Sequence, residues 1–335
     1  MYNLLGCVAR LNKKNNDMNK RKLGDSGIEV SEAAFGCVEI GVPYGIGVDN
    51  ESQMPSAGEA ITLLQTAVNE GINFFDTARQ YGRSEDVLGE AFHHNRSGVI
   101  IATKCRHIRN SQKQIPPDAA LESLIRQSLD ESLEALKTDY ADVFMLHDGD
   151  MEVMQHPVVI KTFGELKNAG KIRATGVSTY LPEETKTAIE SGIWNVVQVP
   201  FNLMDQRHAA YFDLAQSRGV AIIVRSVLMK GLLSGKGTNL HPALSEIESH
   251  IKKYDALKSA TGKELSELAI RFALSFPQVA SVLIGIDKME YLENALSVAD
   301  GNYLNGEEFE MAKDLQYPDP DFLNLHTWSV NGWLK

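Results

Sequence analysis

The chain has 335 residues, of which 43% are hydrophobic and 23% are charged, and its formal net charge at pH 7 is −11. A globular chain of this length can bury a core that needs neither disulfides nor structural metals for stability. The acidic balance excludes a nucleic-acid-binding protein, which would carry a basic surface. No run of about 18 apolar residues is present, so we expect no membrane-spanning helix.

The three cysteines, Cys7, Cys37 and Cys105, lie far apart without the paired spacing of a disulfide framework, which favours a reducing, cytoplasmic compartment. Residues 1–20 are rich in Asn and Lys, and we predict that they form a flexible extension. No linker rich in Pro, Gly or Ser divides the rest, so residues 21–335 are predicted to be a single domain. The histidines show no metal-ligand spacing, and we predict no metal site.

The first predicted element is a short β-hairpin at 22–30, with its turn at Asp25-Ser26. Short β-branched runs then alternate with amphipathic helical stretches along the chain. The eight strand candidates are 33–40, 72–78, 99–104, 141–147, 172–179, 196–202, 220–227 and 279–285.

Helical patterns follow these strands, and several carry start or stop signals. Pro182 fits the first turn of a helix, and Gly71 and Gly170 fall just past helix ends. The helix candidates are 59–70, 84–94, 118–137, 156–169, 182–191, 206–218, 264–276 and 289–299.

The strand candidates are continuously apolar, which is typical of parallel strands covered on both faces. Eight β-then-α units in succession predict a closed (β/α)8 TIM barrel, an α/β fold, rather than an open sheet. Two segments lie outside the repeat, a loop at 228–248 and a tail at 301–335. We predict that the tail, from about residue 316, covers the substrate side of the barrel mouth.

Polar residues follow three successive strand candidates, at the ends where a TIM barrel forms its active site. Asp76 ends the second strand and Tyr81 lies in the loop after it, Lys104 ends the third strand, and His147 ends the fourth. Because adjacent strands end at the same mouth of the barrel, we expect these four side chains to meet there.

These four residues have the chemistry to reduce a carbonyl group. A carbonyl that accepts hydride develops negative charge on its oxygen and needs a proton donor. Tyr81 can give that proton, and an adjacent Lys104 ammonium is expected to lower the tyrosine pKa by roughly 1–3 units. We expect Asp76 to keep Lys104 charged and in place, and His147 to donate a hydrogen bond to the substrate oxygen.

Five segments resemble, in the same order along the chain, the signature of the aldo-keto reductase superfamily. The resemblance covers residues 22 to about 300, and each segment lies at a predicted strand end. The segments are 71–85, Leu146-His147-Asp148, Gly176-Val177-Ser178, 197–202 and 231–236.

The resemblance implies a barrel that binds NADP or NAD and acts on a small-molecule carbonyl substrate, with the catalytic tetrad Asp76, Tyr81, Lys104 and His147. Ser178 and Gln198 would bind the nicotinamide carboxamide, and the loop at 228–236 would close over the pyrophosphate. The cofactor contacts that it implies are Gly36, Cys37, Asp76, Ser178, Gln198, Arg225, Ser226, Leu228, Gly231, Leu232, Lys236, Gly285, Asp287, Glu293 and Asn294.

The sequence departs from the family pattern at two places. Arg225 stands where the family often has an aromatic residue that stacks on the nicotinamide, and its planar guanidinium can stack or bind an anion. Ile284 and Glu290 stand where many members have basic residues that bind the 2′-phosphate of NADP. A carboxylate near the ribose favours the free 2′-hydroxyl, so we expect NAD(H) to bind at least comparably to NADP(H).

Two other functions on the same barrel remain open from the sequence. One is a Schiff-base lyase with Lys104 as the nucleophile, although Asp76 would keep that lysine protonated. The other is a cofactor-binding regulatory barrel, which the complete tetrad disfavours. The sequence names neither the substrate nor an oligomeric state. The loops and tail indicate a partly apolar pocket through Tyr44, Met54, His107, Met151, Phe322, Trp328 and Trp333.

Overall fold

The computed structural model describes residues 18–334. The predicted flexible extension therefore lies, for residues 1–17, outside the described residues. Within the described part of the chain, no helix is long and apolar enough to cross a membrane.

The chain begins with the expected hairpin, formed by β1 (Lys20–Lys22) and β2 (Glu29–Ser31), which pair antiparallel. Its turn packs closely on the start of a later barrel strand. Gly24 has a φ of +56°, and a Cβ there would lie 2.3 Å from the carbonyl oxygen of Gly219. Only glycine therefore fits this turn.

Eight further strands, all parallel, close into a barrel, which confirms the predicted TIM barrel. The last strand pairs with the first barrel strand from Val282↔Ala33 to Gly285↔Gly36, and this pairing closes the ring. The barrel strands are β3 (Ala33–Gly36), β4 (Phe74–Asp76), β5 (Ile100–Lys104), β6 (Ala141–Leu146), β7 (Ile172–Ser178), β8 (Val196–Pro200), β9 (Ala221–Arg225) and β10 (Val279–Gly285).

Helices follow the strands and cover the outside of the barrel. Ser56 caps one of them through a capping box with Glu59, as the sequence pattern at that start requires. The helices are α1 (Val38–Gly41), α2 (Ala57–Asn69), α3 (Ser84–Phe92), α4 (Asp118–Ala135), α5 (Met151–Met154), α6 (Pro157–Asn168), α7 (Pro182–Glu190), α8 (Phe212–Ser217), α9 (Ser245–Ile251), α10 (Asp255–Thr261), α11 (Leu265–Leu274), α12 (Met289–Val298), α13 (Gly306–Asp314) and α14 (Leu325–Val330).

Two predicted boundaries are wrong. The strand predicted at 33–40 ends at Gly36, and residues 38–41 form the short helix α1. The loop predicted at 228–248 contains two 3-10 helical turns, at Met229–Ser234 and Pro242–Leu244, and α9 begins at Ser245. In both places a buried apolar residue, Ile40 or Leu244, lies on a helical turn outside the sheet.

Two hydrophobic layers stabilise the barrel. The larger layer lies between the strands and the helices, and its biggest side chains include Trp194 and Phe163. The smaller layer fills the barrel interior, where the hairpin residues Leu23, Ile28 and Val30 pack against inward-facing strand residues. The hairpin thus plugs the N-terminal end of the barrel and leaves the C-terminal end open for a site.

The tail crosses the open end of the barrel after α13. Trp328 on α14 is 1% exposed, and Tyr317 donates its backbone N–H to the Met204 carbonyl oxygen at 2.9 Å. Arg207 donates hydrogen bonds to the Asp321 carboxylate at 2.6 Å and to the Pro320 carbonyl at 3.2 Å. These contacts place the tail on the segment that follows β8.

Candidate active site

The parallel register of the barrel brings the predicted catalytic residues to one rim. Asp76 is the last residue of β4 and pairs with Gly36 on one side and Ala102 on the other. Lys104 ends β5, and His147 follows the last residue of β6. Because all strands run in the same direction, the four side chains predicted from the sequence lie together.

Asp76 is the centre of a buried hydrogen-bond network. Its Oδ2 accepts a hydrogen bond from Lys104 Nζ at 2.6 Å, and its Oδ1 accepts one from Gln198 Nε2 at 2.8 Å. Lys104 also donates to the Thr77 carbonyl oxygen at 3.0 Å and is 1% exposed. A buried ion pair with these additional hydrogen bonds holds both charges in fixed positions.

Tyr81 lies beside this ion pair but does not benefit from it as we expected. The Lys104 Nζ is 5.1 Å from the centroid of the Tyr81 ring. Burial raises the pKa of Tyr81 well above its usual value, the Asp76 carboxylate raises it further, and Arg225 opposes the effect. The expectation that Lys104 lowers this pKa is wrong, because the ammonium is paired with Asp76 and desolvation outweighs it.

His147 is held in its neutral form. Burial lowers the pKa of His147 to about 2, and the nearby charges of Lys104 and Arg225 add to the effect. Its ring packs edge-on against Tyr81 at a centroid distance of 5.5 Å and stacks on His107 at 4.9 Å. A neutral imidazole beside the phenol can donate one hydrogen bond without carrying a charge.

A cavity of about 1410 Å³ opens at this rim and extends from Tyr81 to α12. Two of the predicted site residues do not line it, since Glu293 is exposed outside the cavity and Lys104 lies buried under Asp76. The predicted residues that line the cavity are Gly36, Cys37, Asp76, Tyr81, His147, Ser178, Gln198, Arg225, Ser226, Leu228, Gly231, Leu232, Lys236, Gly285, Asp287 and Asn294.

The lining fits an extended nicotinamide dinucleotide. Gln198 gives its amide nitrogen to Asp76, so its carbonyl oxygen is the atom left to accept a hydrogen bond from a carboxamide. Gly231 and Gly235, with φ angles of +106° and +93°, let the loop backbone approach a ligand closely. Asn294 offers an amide at the far end of the cavity.

Arg225 lies on the wall where an aromatic ring was expected from the family pattern. Its Nε is 3.3 Å from Ser178 Oγ, and its Nη2 donates to the Thr179 carbonyl oxygen at 3.0 Å. The guanidinium carbon lies 4.4 Å from the centroid of the Tyr180 ring. These contacts fix the guanidinium as a flat cationic surface in the cavity.

Two loops meet across the cavity, the β3 loop (residues 42–56) and the β9 loop (residues 226–238). Lys236 Nζ donates to the Ile46 carbonyl oxygen at 2.8 Å, and the Ile46 N–H donates to the Lys230 carbonyl oxygen at 3.2 Å. Ser226, Met229 and Lys230 have φ angles of +60°, +49° and +57°. Left-handed backbone at three non-glycine residues is strained and is kept only by such surrounding contacts.

Several cavity residues were missed by the sequence analysis. Glu39 follows the end of β3 on α1, Tyr180 follows β7, and Arg207 follows β8. A search for polar residues just beyond each predicted strand end would have found Tyr180, whereas Glu39 lay inside the strand predicted at 33–40. No sequence signal marked Arg207, because its place depends on the fold of the tail.

The expected partly apolar pocket is wrong in its details. Of the seven loop and tail residues named for it, only Tyr44 lines the cavity. The tail lines it instead through Pro320, Asp321 and residues 323–326, which include the polar residues Asn324 and His326. Trp328, on the tail helix α14, is buried away from the cavity and packs on Phe322 at a centroid distance of 5.4 Å.

The geometry disfavours the Schiff-base lyase. A lysine nucleophile must be reached by the substrate and must lose its proton. Lys104 does not line the cavity and donates to both the Asp76 carboxylate and the Thr77 carbonyl oxygen. This lysine is a buried structural cation.

Comparison with known proteins shows the family of this chain. The sequence model of the Aldo/keto reductase family matches residues 45–316. The chain belongs to this family. L-galactose dehydrogenase of Arabidopsis thaliana is 31% identical, over 82% of this chain and 85% of its own. The uncharacterized oxidoreductase YqkF of Bacillus subtilis is 28% identical, over 88% of this chain and 95% of its own.

A solved structure agrees on the fold. The holo form of aldo-keto reductase AKR11C1 from Bacillus halodurans superposes with a TM-score of 0.73 at 27% identity. The match covers 89% of this chain and 96% of that protein. This aldo/keto reductase is therefore an NAD(P)-dependent oxidoreductase that acts on carbonyl compounds.

Proposed function

We propose that this aldo/keto reductase reduces a small polar carbonyl compound with Tyr81 as the proton donor. The observation that carries the proposal is the grouping of the Tyr81 phenol, the neutral His147 and the Asp76–Lys104 pair at one end of the cavity. A polar wall of Arg207, Asp321 and His326 favours a hydroxylated or charged substrate over an alkyl aldehyde.

Each residue has a separate part in this proposal. The bound nicotinamide dinucleotide supplies the hydride. Tyr81 gives its phenolic proton to the substrate oxygen, and His147 donates a hydrogen bond that orients the carbonyl. Lys104 and Asp76 form a buried ion pair beside the phenol ring and hold each other in fixed positions.

We expect Tyr81→Phe to lower turnover by roughly 100- to 10,000-fold, because general acid catalysis contributes about that factor. The dissociation constant of the dinucleotide should stay nearly unchanged, since only a hydroxyl is removed. Turnover with aldehydes and small sugars and nucleotide fluorescence titration measure the two effects. Tyr140→Phe, outside the cavity, is the matched control, and a Tyr81→Phe enzyme that keeps most of its activity would refute the assignment.

We also propose that NAD(H) binds at least comparably to NADP(H). Asp287 and Glu290 line the far end of the cavity, and neither forms a salt bridge with a described residue. A carboxylate near a phosphate dianion costs roughly 1 kcal/mol or more, or several-fold in affinity. One relative, 26% identical over 78% of this chain and 84% of its own, is the NADH-specific methylglyoxal reductase of Escherichia coli.

The positive charge of Lys288 opposes the effect of the two carboxylates. The experiment therefore measures which of the two effects is larger. The Nζ of Lys288 lies 5.8 Å from the Tyr291 ring centroid and is within the same lining. Dissociation constants for both cofactors at low salt test the proposal, and Glu290→Gln should tighten NADP(H) several-fold while NAD(H) changes little. NADP(H) bound more than about tenfold tighter by the unmodified enzyme would show that Lys288 outweighs the two carboxylates.

A further inference from the structure

Glu39 is a partly buried acid on the cavity wall, and the proposed mechanism gives it no role. It lies on α1, three residues after the end of β3, and lines the cavity. Its Oε2 is buried and has no hydrogen-bond partner among the described residues. A buried polar atom without a partner costs free energy, so its retention at a ligand cavity indicates a partner that arrives with the ligand.

The Glu39 carboxyl group lies against the backbone of Gly285. Gly285 ends β10, the barrel neighbour of β3, and a Cβ on Gly285 would lie 2.0 Å from Glu39 Oε1 and 2.6 Å from its Cδ. The φ of Gly285 is not in the left-handed region, and the three atoms nearest to such a Cβ all belong to the Glu39 carboxyl group. The carboxyl group therefore occupies the space between the ends of β3 and β10.

The surroundings of Glu39 are acidic. Burial raises the pKa of Glu39 to about 8, and the Asp287 and Asp76 carboxylates contribute to the rise. The other titratable groups that sense its charge are the Cys37 thiol and the Tyr44 and Tyr81 phenols, none of them a cation. The buried ammonium of Lys104 pairs with Asp76 and not with Glu39.

We propose that Glu39 contacts the bound dinucleotide through its neutral carboxyl group, which donates a hydrogen bond to an oxygen of the diphosphate or ribose. The cofactor is then bound together with one proton. An ionised Glu39 would instead face the negative diphosphate beside two further carboxylates. The inference rests on the dinucleotide binding described above and names a contact that the four catalytic residues do not provide.

The proposal predicts that the affinity for the dinucleotide falls as the pH rises. Glu39 binds the dinucleotide only while it is protonated, so affinity is full below the pKa of the free enzyme and falls as the pH rises through about 8. One proton coupled to binding weakens affinity by up to tenfold for each pH unit above that value. We therefore expect the dissociation constant at pH 9 to be about tenfold higher than at pH 7.

NADH fluorescence titration of the full-length enzyme between pH 6.5 and 9 tests this inference. Glu39→Gln keeps a neutral donor at every pH, so its dissociation constant should match the unmodified enzyme at pH 7 and lack the rise at pH 9. Calorimetry in buffers of different ionisation enthalpy should show proton uptake near pH 8 by the unmodified enzyme and none by Glu39→Gln. Glu190→Gln, an exposed residue on α7, is the matched control.

Asp287→Asn gives an independent test that leaves Glu39 in place. It removes a charge that raises the pKa of Glu39, so the pH at which affinity begins to fall should move down. A pH-independent dissociation constant in the unmodified enzyme, or the same rise at pH 9 in Glu39→Gln, would overturn the inference while leaving dinucleotide binding intact. No NADH or NADPH binding at pH 7 would overturn the proposed function as well.

Discussion

His147 shows how the surroundings of one side chain decide what it can do. The imidazole is buried, and the cations Lys104 and Arg225 disfavour a second positive charge. Its buried Nδ1 has no hydrogen-bond partner among the described residues. A neutral imidazole is a very weak acid, which supports the proposal that Tyr81 is the proton donor.

We expect the His147 ring signals in NMR spectra to stay constant between pH 4 and 8. The pKa of His147 is lowered to about 2, so the ring stays neutral throughout this range. The spectrum of His147→Gln assigns the signal by its absence, and free imidazole in the sample reports the pH. A His147 signal that titrates with a midpoint between pH 5 and 7 would contradict the neutral role.

At the scale of single residues, the sequence predicted which residues form the candidate site but not the pKa shifts of their side chains. Asp76, Tyr81, Lys104 and His147 could be chosen because polar residues at strand ends have few other uses in a barrel. The direction of the Tyr81 pKa shift could not, because it depends on desolvation and on the pairing of Lys104 with Asp76. Both arise only when distant parts of the chain pack together.

At the scale of elements, the segments that enclose the cavity are mainly loops. The β9 loop is held on one side by the β3 loop, through Lys236 and Ile46. It is held on the other side by the tail, where Lys230 Nζ contacts Ser329 Oγ at 2.9 Å. The candidate catalytic residues thus lie at or just after strand ends, while the β3 loop, the β9 loop and the tail enclose the cavity.

We expect deletion of residues 320–335 to raise the substrate KM by about fivefold or more and to change the order of preferred substrates. The segment 320–326 lines the cavity, and the loss of about 1 kcal/mol of contacts gives this factor. Cofactor affinity should change less, because the exposed Lys230–Ser329 hydrogen bond contributes little.

The control is a chain that ends at residue 330, which keeps the segment that lines the cavity. Steady-state kinetics with a panel of polar and alkyl aldehydes measures the effect on both chains. An unchanged specificity profile in a folded chain without residues 320–335 would show that the tail only braces the barrel.

The start of a helix could be predicted where the sequence carries a local start signal. Helices that begin with Pro182 or follow Ser56 have local signals, and their predicted starts lie within two residues of those observed. The strand at 33–40 was extended too far because Cys37, Val38 and Ile40 continue its apolar run. These residues pack at the barrel mouth on a helical turn, and no local pattern distinguishes the two outcomes.

At the scale of the whole molecule, the N-terminal end of the barrel is packed with side chains, whereas the C-terminal end carries the cavity. The hairpin buries Leu23, Ile28 and Val30 in the N-terminal end, where no cavity-lining residue lies. The C-terminal end carries strained loops and partly unpartnered polar atoms. The (β/α)8 repeat could be predicted because eight strand-helix units leave few alternatives, whereas the closure of the mouth by the tail and loops depends on long-range contacts.

This division predicts that stability and activity can be separated at Leu23. Its side chain is fully buried inside the barrel, so Leu23→Ala removes buried methyl groups and leaves a cavity. We expect the free energy of unfolding to fall by about 2–5 kcal/mol, as in other buried leucine-to-alanine changes. The kcat/KM of the folded enzyme should stay unchanged, because the site lies at the opposite end of the strands.

Urea unfolding followed by fluorescence, together with kinetics at a temperature where both proteins are folded, measures the two effects. Val330→Ala, at a residue that is 72% exposed, is the control and should change the free energy of unfolding by less than about 0.5 kcal/mol. A Leu23→Ala enzyme that is fully folded but has lost most of its kcat/KM would show that the hairpin end and the active end are coupled through the strands. Unchanged unfolding would show that the hairpin is not part of the cooperative core.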